Sequence, residues 1–348
     1  MARKLLLLVL AAGLSALAAD PDLLKLVMPD AALLVGIRLD QIRVSPLGQM
    51  ILSQISVPDE ELKKVVAAIG FNPVTDLDEV LIAAPAVPGA QQVLVLVRGR
   101  FEPARLAALA AMGGGEVSSF QGVEIATLKQ AQQAFALASL DRTTMVLGDP
   151  KSVRGAIARR TTGLRVSPKL VARADALAKL YDLWVISLVP PGQMAKGVPD
   201  PKLGSLLKGD AFQGIQEASG GIRLGRDIQV AFEVVTRSEK DATSLADVSK
   251  FILGLALTQG KPEQAKLLES LQLSTEGTRV RFGLTIPEAE IAKAIEAQKK
   301  AMAAARRKPP AKPAPAEPVV VQTTPEGTGV TIYSSPKDMG VVKLPAPK

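Results

Sequence analysis

The chain has 348 residues, no cysteine and no histidine, and its 42 basic and 34 acidic side chains give a formal charge of +8. Without those two residue types there is no disulfide framework, no thiolate or imidazole metal site, and no Ser-His-Asp or Cys-His nucleophile. At this length stability has to come from burial in a packed core.

The first residues, Met1-Ala2-Arg3-Lys4, are followed by the apolar run Leu5–Leu14 and then by Ser15-Ala16-Leu17-Ala18-Ala19-Asp20. A short cationic start, an apolar stretch and an Ala-x-Ala ending predict a signal peptide over residues 1–18, cleaved after Ala18 or one residue later. The apolar run is shorter than the ~20 residues a membrane-spanning helix needs. The expected compartment is therefore periplasmic or extracellular, with no transmembrane segment once the signal is gone. Arg3 and Lys4 leave with it. From Lys299 onward nine basic residues stand against Glu317, Glu326 and Asp338, so the tail carries +6 and the body between is near neutral.

Residues 19–160 read as a first α+β half. Apolar and β-branched runs predict strands at Ala32–Leu39, Asp78–Ala84, Gln92–Val97, Val123–Leu128, Phe135–Leu140 and Thr144–Leu147. Helical spacing predicts helices at Pro46–Ile55, Glu60–Ile69, Pro103–Met112 and Pro150–Ile157. Ser45-Pro46 and Asp149-Pro150 join a capping oxygen to a proline at the first helical position. Gly113-Gly114-Gly115 reads as a helix stop, and Glu116–Gln121 as a polar loop.

Residues 161–182 supply a linking helix, Ser167–Leu180, with Leu170, Val171, Ala174, Leu177 and Leu180 on one face. The second half, 183–305, opens with a strand at Leu183–Leu188, which makes Trp184 a core residue. Pro190-Pro191-Gly192 then begins a surface loop to Val198, and Asp200-Pro201 starts a helix. A strand at Gln229–Val235 and a helix from Glu239 follow. The closing pattern of strand, turn, strand and proline-led helix at Phe135–Pro150 returns at Leu271–Pro287. Pro150 and Pro287 are 137 residues apart, as are Arg100 and Arg237. The reading is two similar halves, each a mixed or mainly antiparallel sheet with helices packed on one face. Residues 306–348 are a Pro/Ala/Lys-rich spacer expected to stay solvated and disordered. It carries short β-prone pieces at Val319–Val321, Val330–Tyr333 and Val341–Leu344.

The segments MPDAALLVGIRLDQIRVSPLGQM, GFNPVTDLDEVLIAAP, VLVLVRGRFEPARLAAL and LGDPKSVRGAI resemble an uncharacterised family of exported bacterial proteins, a domain of unknown function, over roughly residues 20–290. The motifs shared are packing and turn motifs. The resemblance implies a fold and a compartment, and carries over no catalytic residue.

Ser-x-x-Lys occurs at Ser205/Lys208 and Ser334/Lys337, without the Ser-Asp-Asn and Lys-Thr-Gly partners that a β-lactamase-type site requires. Asp59-Glu60-Glu61 opens a helix and Asp76-Leu77-Asp78-Glu79 enters a strand; neither has the spacing of a calcium loop. With one Trp, two Tyr and eight Phe, the chain has little with which to stack sugars or nucleobases. No residue is put forward as catalytic, cofactor-binding or metal-ligating, and no cofactor is expected. The reading is a non-enzymatic exported binding or scaffolding protein of the cell envelope, with a carboxylate-dependent periplasmic hydrolase as the alternative. Partners would be another envelope protein or an anionic envelope polymer met by the tail, with no nucleic acid.

Overall fold

The computed structural model describes residues 19–52, 72–86, 92–102, 115–130, 133–163, 165–190, 209–259, 268, 270–307, 321–324 and 327–330. The chain divides into two compact units, 1–291 and 292–348. The first unit begins with α1 (Pro21–Leu26), β1 (Ala31–Arg38), α2 (Leu39–Val44), α3 (Pro46–Leu52), α4 (Pro73–Asp76), β2 (Leu77–Pro85) and β3 (Leu94–Gly99). Next come β4 (Glu116–Phe120), β5 (Val123–Gln130), β6 (Gln133–Ser139), β7 (Thr144–Gly148), α5 (Pro150–Thr162) and α6 (Pro168–Leu180). It closes with β8 (Leu183–Ser187), α7 (Asp210–Gln213), β9 (Ile215–Leu224), β10 (Ile228–Thr236), α8 (Glu239–Gln259), β11 (Gln272–Glu276), β12 (Arg279–Ile286) and the start of α9 (Glu288–Arg307).

The class is α+β. Among the described residues of this unit, the strands form one antiparallel sheet in the order β11-β12-β10-β9-β8-β1-β2-β3-β7-β6-β5-β4. This corrects the expectation of a separate sheet in each half. β1 pairs with β8 from Leu33↔Ser187 to Ile37↔Leu183, and that pairing makes the sheet continuous. Both strands are rich in Val, Ile and Leu, which suit a pleated, half-buried surface. Outward from this pair the order is β1, β2, β3, β7, β6 on one arm and β8, β9, β10, β12, β11 on the other. The hairpin β4–β5 extends the first arm.

Alternation decides which side chains go inward. Leu34 of β1, Leu81 and Ala83 of β2, and Leu94 and Leu96 of β3 are buried with Leu23, Leu24 and Leu26 of α1 and with Val153, Ala156 and Ile157 of α5. Leu170, Ala174 and Leu177 of α6 join this core, as does Trp184 at 1% exposure. Leu180, expected on the same face, is exposed: α6 ends there, and the next residue, Tyr181, packs against the core instead. Asp149 caps α5 by accepting from the Lys151 and Ser152 N–H groups at 3.1 and 3.0 Å, and Ser45 caps α3 through the Gly48 N–H at 3.1 Å.

Two strands go beyond the sequence reading. Glu116–Phe120, expected as a loop, is the edge strand β4, paired with β5 across a turn in which Gln121 (φ 48°) and Gly122 (φ 76°) are both left-handed. That turn conformation matches the twist of a hairpin, so pairing there comes from the turn and not from an apolar pattern. β9 is broken in composition by Ser219-Gly220-Gly221, yet pairs with β8 and β10 along its length. Glycine is required there, because a Cβ on Gly221 would meet the Leu183 carbonyl and the Tyr181 side chain.

In the second unit β13 (Val321–Thr324) and β14 (Gly327–Val330) form an antiparallel hairpin with Val321 opposite Val330. Expectations for 1–18, Glu60–Ile69, Pro103–Met112, Asp200-Pro201, 191–198 and Val341–Leu344 lie outside the described residues. So do Asp59-Glu60-Glu61, Gly113-Gly114 and both Ser-x-x-Lys pairs.

Candidate functional site

Strand register places a row of polar side chains across the sheet. Arg38 ends β1 opposite Glu79 of β2; Glu79 lies opposite Arg98 of β3, and Arg98 opposite Thr144 of β7. These residues keep the inward phase of Leu34, Leu81 and Leu96, so Arg38 and Glu79 are 4% and 6% exposed. Buried charges need partners. Arg38 donates to Asp40 from Nε and Nη2 at 3.2 and 2.9 Å. Arg98 donates from Nε to Asp20 at 2.6 Å and from Nη1 to the Thr144 hydroxyl at 2.5 Å.

Asp20 therefore has three tasks. Its Oδ1 accepts from the N–H groups of Asp22 (2.8 Å) and Leu23 (3.3 Å) and so caps α1. Its Oδ2 holds Arg98, and its own N–H donates to Glu79 Oε1 at 3.4 Å. Burial acts to raise the Asp20 carboxyl, but the Arg98 hydrogen bond and the two backbone donors outweigh it and hold the group below its ordinary value. Glu79 is different. Burial pushes it up to about 7, and the Asp20 N–H and the charge of Arg38 recover only part of that rise.

Beside this row opens a cleft of about 490 Å³ between α1, the β6–β7 turn and the C-terminal end of α5. Five cations line it (Lys25, Arg98, Arg159, Arg160 and Arg165) against two carboxylates, Asp22 and Asp141. Lys25 is bound to Asp22 at 2.7 Å. Asp141 accepts from the Thr143 N–H and hydroxyl, both at 2.7 Å, and these bonds hold its carboxyl below the usual range against the opposing effect of burial. Arg159 reaches from α5 to the end of α1, donating from Nε to the Leu26 carbonyl at 2.8 Å. Its Nη2 is buried with no acceptor, and burial lowers its pKa. Arg160 and Arg165 are exposed at the rim. Gly163 turns the chain there with φ 70°. Arg160 and Thr161 also line a second hollow of about 430 Å³, together with Gln121 and Ile157.

Cations in the last turn of a helix also complement its dipole, which accounts for Arg159 and Arg160 in part. It does not supply an acceptor for a buried N–H. The contrast is Glu233 on β10, which binds Arg173, Arg279 and Arg281 at 2.7, 3.2 and 3.0 Å. Those arginines are satisfied by the protein itself.

The Asp76–Glu79 cluster is divided by the structure. Asp78 pairs with Arg43 at 2.6 Å and Asp76 lies 3.8 Å from Arg100, while only Glu79 turns inward. The sequence reading missed the cleft. Its cations come from four separate stretches, and a body of zero net charge hides a local cluster of them. Among the described residues no group of three or more acidic side chains could hold a metal ion, and no helix is long and apolar enough to cross a membrane.

No family model and no curated protein matches the chain. Solved structures that are similar to it include two crystal forms of the protein TP0453. Form I superposes with a TM-score of 0.51 at 12% identity, covering 80% of this chain and 98% of that one. Form III gives 0.50 at 11% identity, covering 80% and 99%. At such identities the likeness concerns the fold.

Proposed function

We propose that this chain is a non-enzymatic exported binding protein of the cell envelope, and that its body holds the phosphate or carboxylate groups of an anionic ligand in the arginine cleft. The observation that carries this reading is the excess of cations lining the cleft, five against two carboxylates, with Arg160 and Arg165 exposed at its rim. An anionic oxygen would meet that excess of positive charge, and charge-assisted bonds of that kind are the strong ones. The signal-like start of the chain supports export. The shared outward order of the two arms supports descent from one duplicated unit at the 137-residue offset, with Pro150 inside the first turn of α5 and Pro287 just ahead of α9.

The hydrolase alternative gains nothing from the cleft. Asp22 is bound to Lys25 and Asp141 to Thr143, while neither Asp20 nor Glu79 lines the cavity. A basic tail would add a second, weaker attraction to anionic polymers, screened by salt.

Calorimetric titration with inorganic phosphate, pyrophosphate and citrate tests the cleft. The R160A/R165A variant changes only exposed side chains, so it should fold normally and bind at least about tenfold more weakly, the loss of a charge-assisted bond or two. Deleting residues 306–348 should leave this binding unchanged. Equal affinity in the arginine variant would remove the cleft arginines from the contact, and loss of binding on truncation alone would assign the anion contact to the tail.

A further inference from the structure

Around the row Arg38–Glu79–Arg98 two cations stand against three carboxylates, Glu79 and the Asp40 and Asp20 to which the arginines are bonded. Arg38 and Arg98 face Glu79 from β1 and β3, but their guanidinium groups are turned to Asp40 and Asp20. Asp182, near Arg38, accepts from the Leu224 N–H. Among the described residues no cation lies within 4.0 Å of Glu79, and the one donor it has is the Asp20 N–H. Directly upstream, Ala19 is fully buried. The place where the signal peptide is expected to end is therefore inside the core, one or two residues from a buried carboxylate that no cation of the described residues approaches to ion-pair distance.

We propose that Glu79 is the receptor for the amino terminus created when the signal peptide is removed, and that the two form an internal ion pair which locks α1 onto the sheet. Hydrolysis adds water across the Ala18–Ala19 amide. The C–N bond breaks, the Ala18 carbonyl carbon takes the oxygen and leaves as a carboxylate, and the freed nitrogen of Ala19 takes a proton and becomes an ammonium. Cleavage one residue later would place the ammonium on the Asp20 nitrogen, which is already 3.4 Å from Glu79 Oε1. A desolvated ammonium at this position needs an anion, and Glu79 is the carboxylate there without a cation of its own. The raised pKa of Glu79 in the uncleaved chain is what an unpaired carboxylate in this place should show. Processing would thereby complete the fold, and the precursor would be the looser form. The inference rests on the export half of the proposed function and is independent of the arginine cleft.

The test uses a chain beginning at Ala19, released from an N-terminal fusion with no residue left behind, and the same chain with its amino terminus acetylated. With the free terminus, Glu79→Gln should lower the thermal midpoint by about 5 °C or more, the shift that follows from losing a buried ion pair in a domain of this size. In the acetylated chain the same substitution should leave the midpoint unchanged or raise it. The α-amino pKa, followed by NMR, should lie at least about one unit above its ordinary value of about 8 and return to it in the Gln variant. An equal effect of Glu79→Gln in both forms, or an ordinary α-amino pKa, overturns the pairing. N-terminal mass spectrometry of the exported protein should find Ala19 or Asp20 first. An intact Met1 or Ala2 would overturn the export premise, while the fusion-derived chain still decides whether Glu79 can receive an ammonium.

Discussion

Gly36→Ala should destabilise the protein by at least about 3 kcal/mol, at the upper end for over-packing a core. Gly36 lies in β1 at the centre of the sheet, directly across from Trp184 of β8. A Cβ there would fall on the Trp184 ring, contacting Cε2, Nε1 and Cζ2. Neither side can yield. Gly36 is fixed by strands on both sides, and Trp184 is 1% exposed within the core. Because the clash is with the ring, Trp184→Leu introduced into the Gly36→Ala background should recover part of the loss, a coupling that a double-mutant cycle reads directly. Chemical unfolding of the four proteins checks this. A Gly36→Ala change of less than about 0.5 kcal/mol would mean the ring has room to move.

The central strand pair was visible in the sequence as two apolar runs, Ala32–Leu39 and Leu183–Leu188, but their pairing was not. Nothing in either run specifies its partner; the two lie about 150 residues apart, and the contact is set by the topology of the whole chain. Strands whose side chains alternate or are uniformly apolar were legible, because burial imposes that pattern. β4 and β9 were not. β4 is an edge strand with Glu116, Val117 and Ser119 exposed, and among its residues only Phe120 packs against the core. β9 carries glycines where the neighbouring strands leave no space for a Cβ, and those glycines erase the signal by which a strand is recognised.

Asp149, Ser45 and the proline starts were legible because caps act within three or four residues. The cleft and the polar row act over longer distances. Arg98 meets Asp20 across 78 residues, and Arg159 meets the Leu26 carbonyl across 133. In the sequence Glu79 stands as one of three neighbouring acids. What sets it apart from Asp76 and Asp78 is its strand phase: Leu81 and Ala83 follow it at the inward spacing of two, so Glu79 is carried into the core with them. That phase was present in the sequence, as an acid in line with an apolar alternation, and it is the signal that could have singled Glu79 out.

Glu79 should also govern how stability varies with pH. In the chain that retains residues ahead of Ala19, the unfolding free energy should fall as pH rises from about 4.5 to about 7, and Glu79→Gln should remove most of that fall. The sign follows from where the proton sits. The folded carboxyl titrates at about 7 and the unfolded one near 4.5. Between those values the native state holds a proton that the unfolded state has released, so raising the pH favours unfolding. At 1.36 kcal/mol per pKa unit the fall amounts to at most about 3 kcal/mol. Asp20, Asp141 and Glu233 act in the opposite sense. Their pKa values are lowered in the fold, so their contribution is present above the unfolded carboxylate pKa and is lost as the pH drops through the acid range. The two sets place maximum stability on the acid side of neutrality, and Glu79→Gln should shift that maximum toward pH 7. Urea unfolding at intervals between pH 4 and 8 measures it, and an equal slope in the wild-type and Gln proteins would remove Glu79 from the account. A processed chain with a free amino terminus should show a flatter profile through neutrality and lose stability above pH ~8, as the ammonium that faces Glu79 gives up its proton.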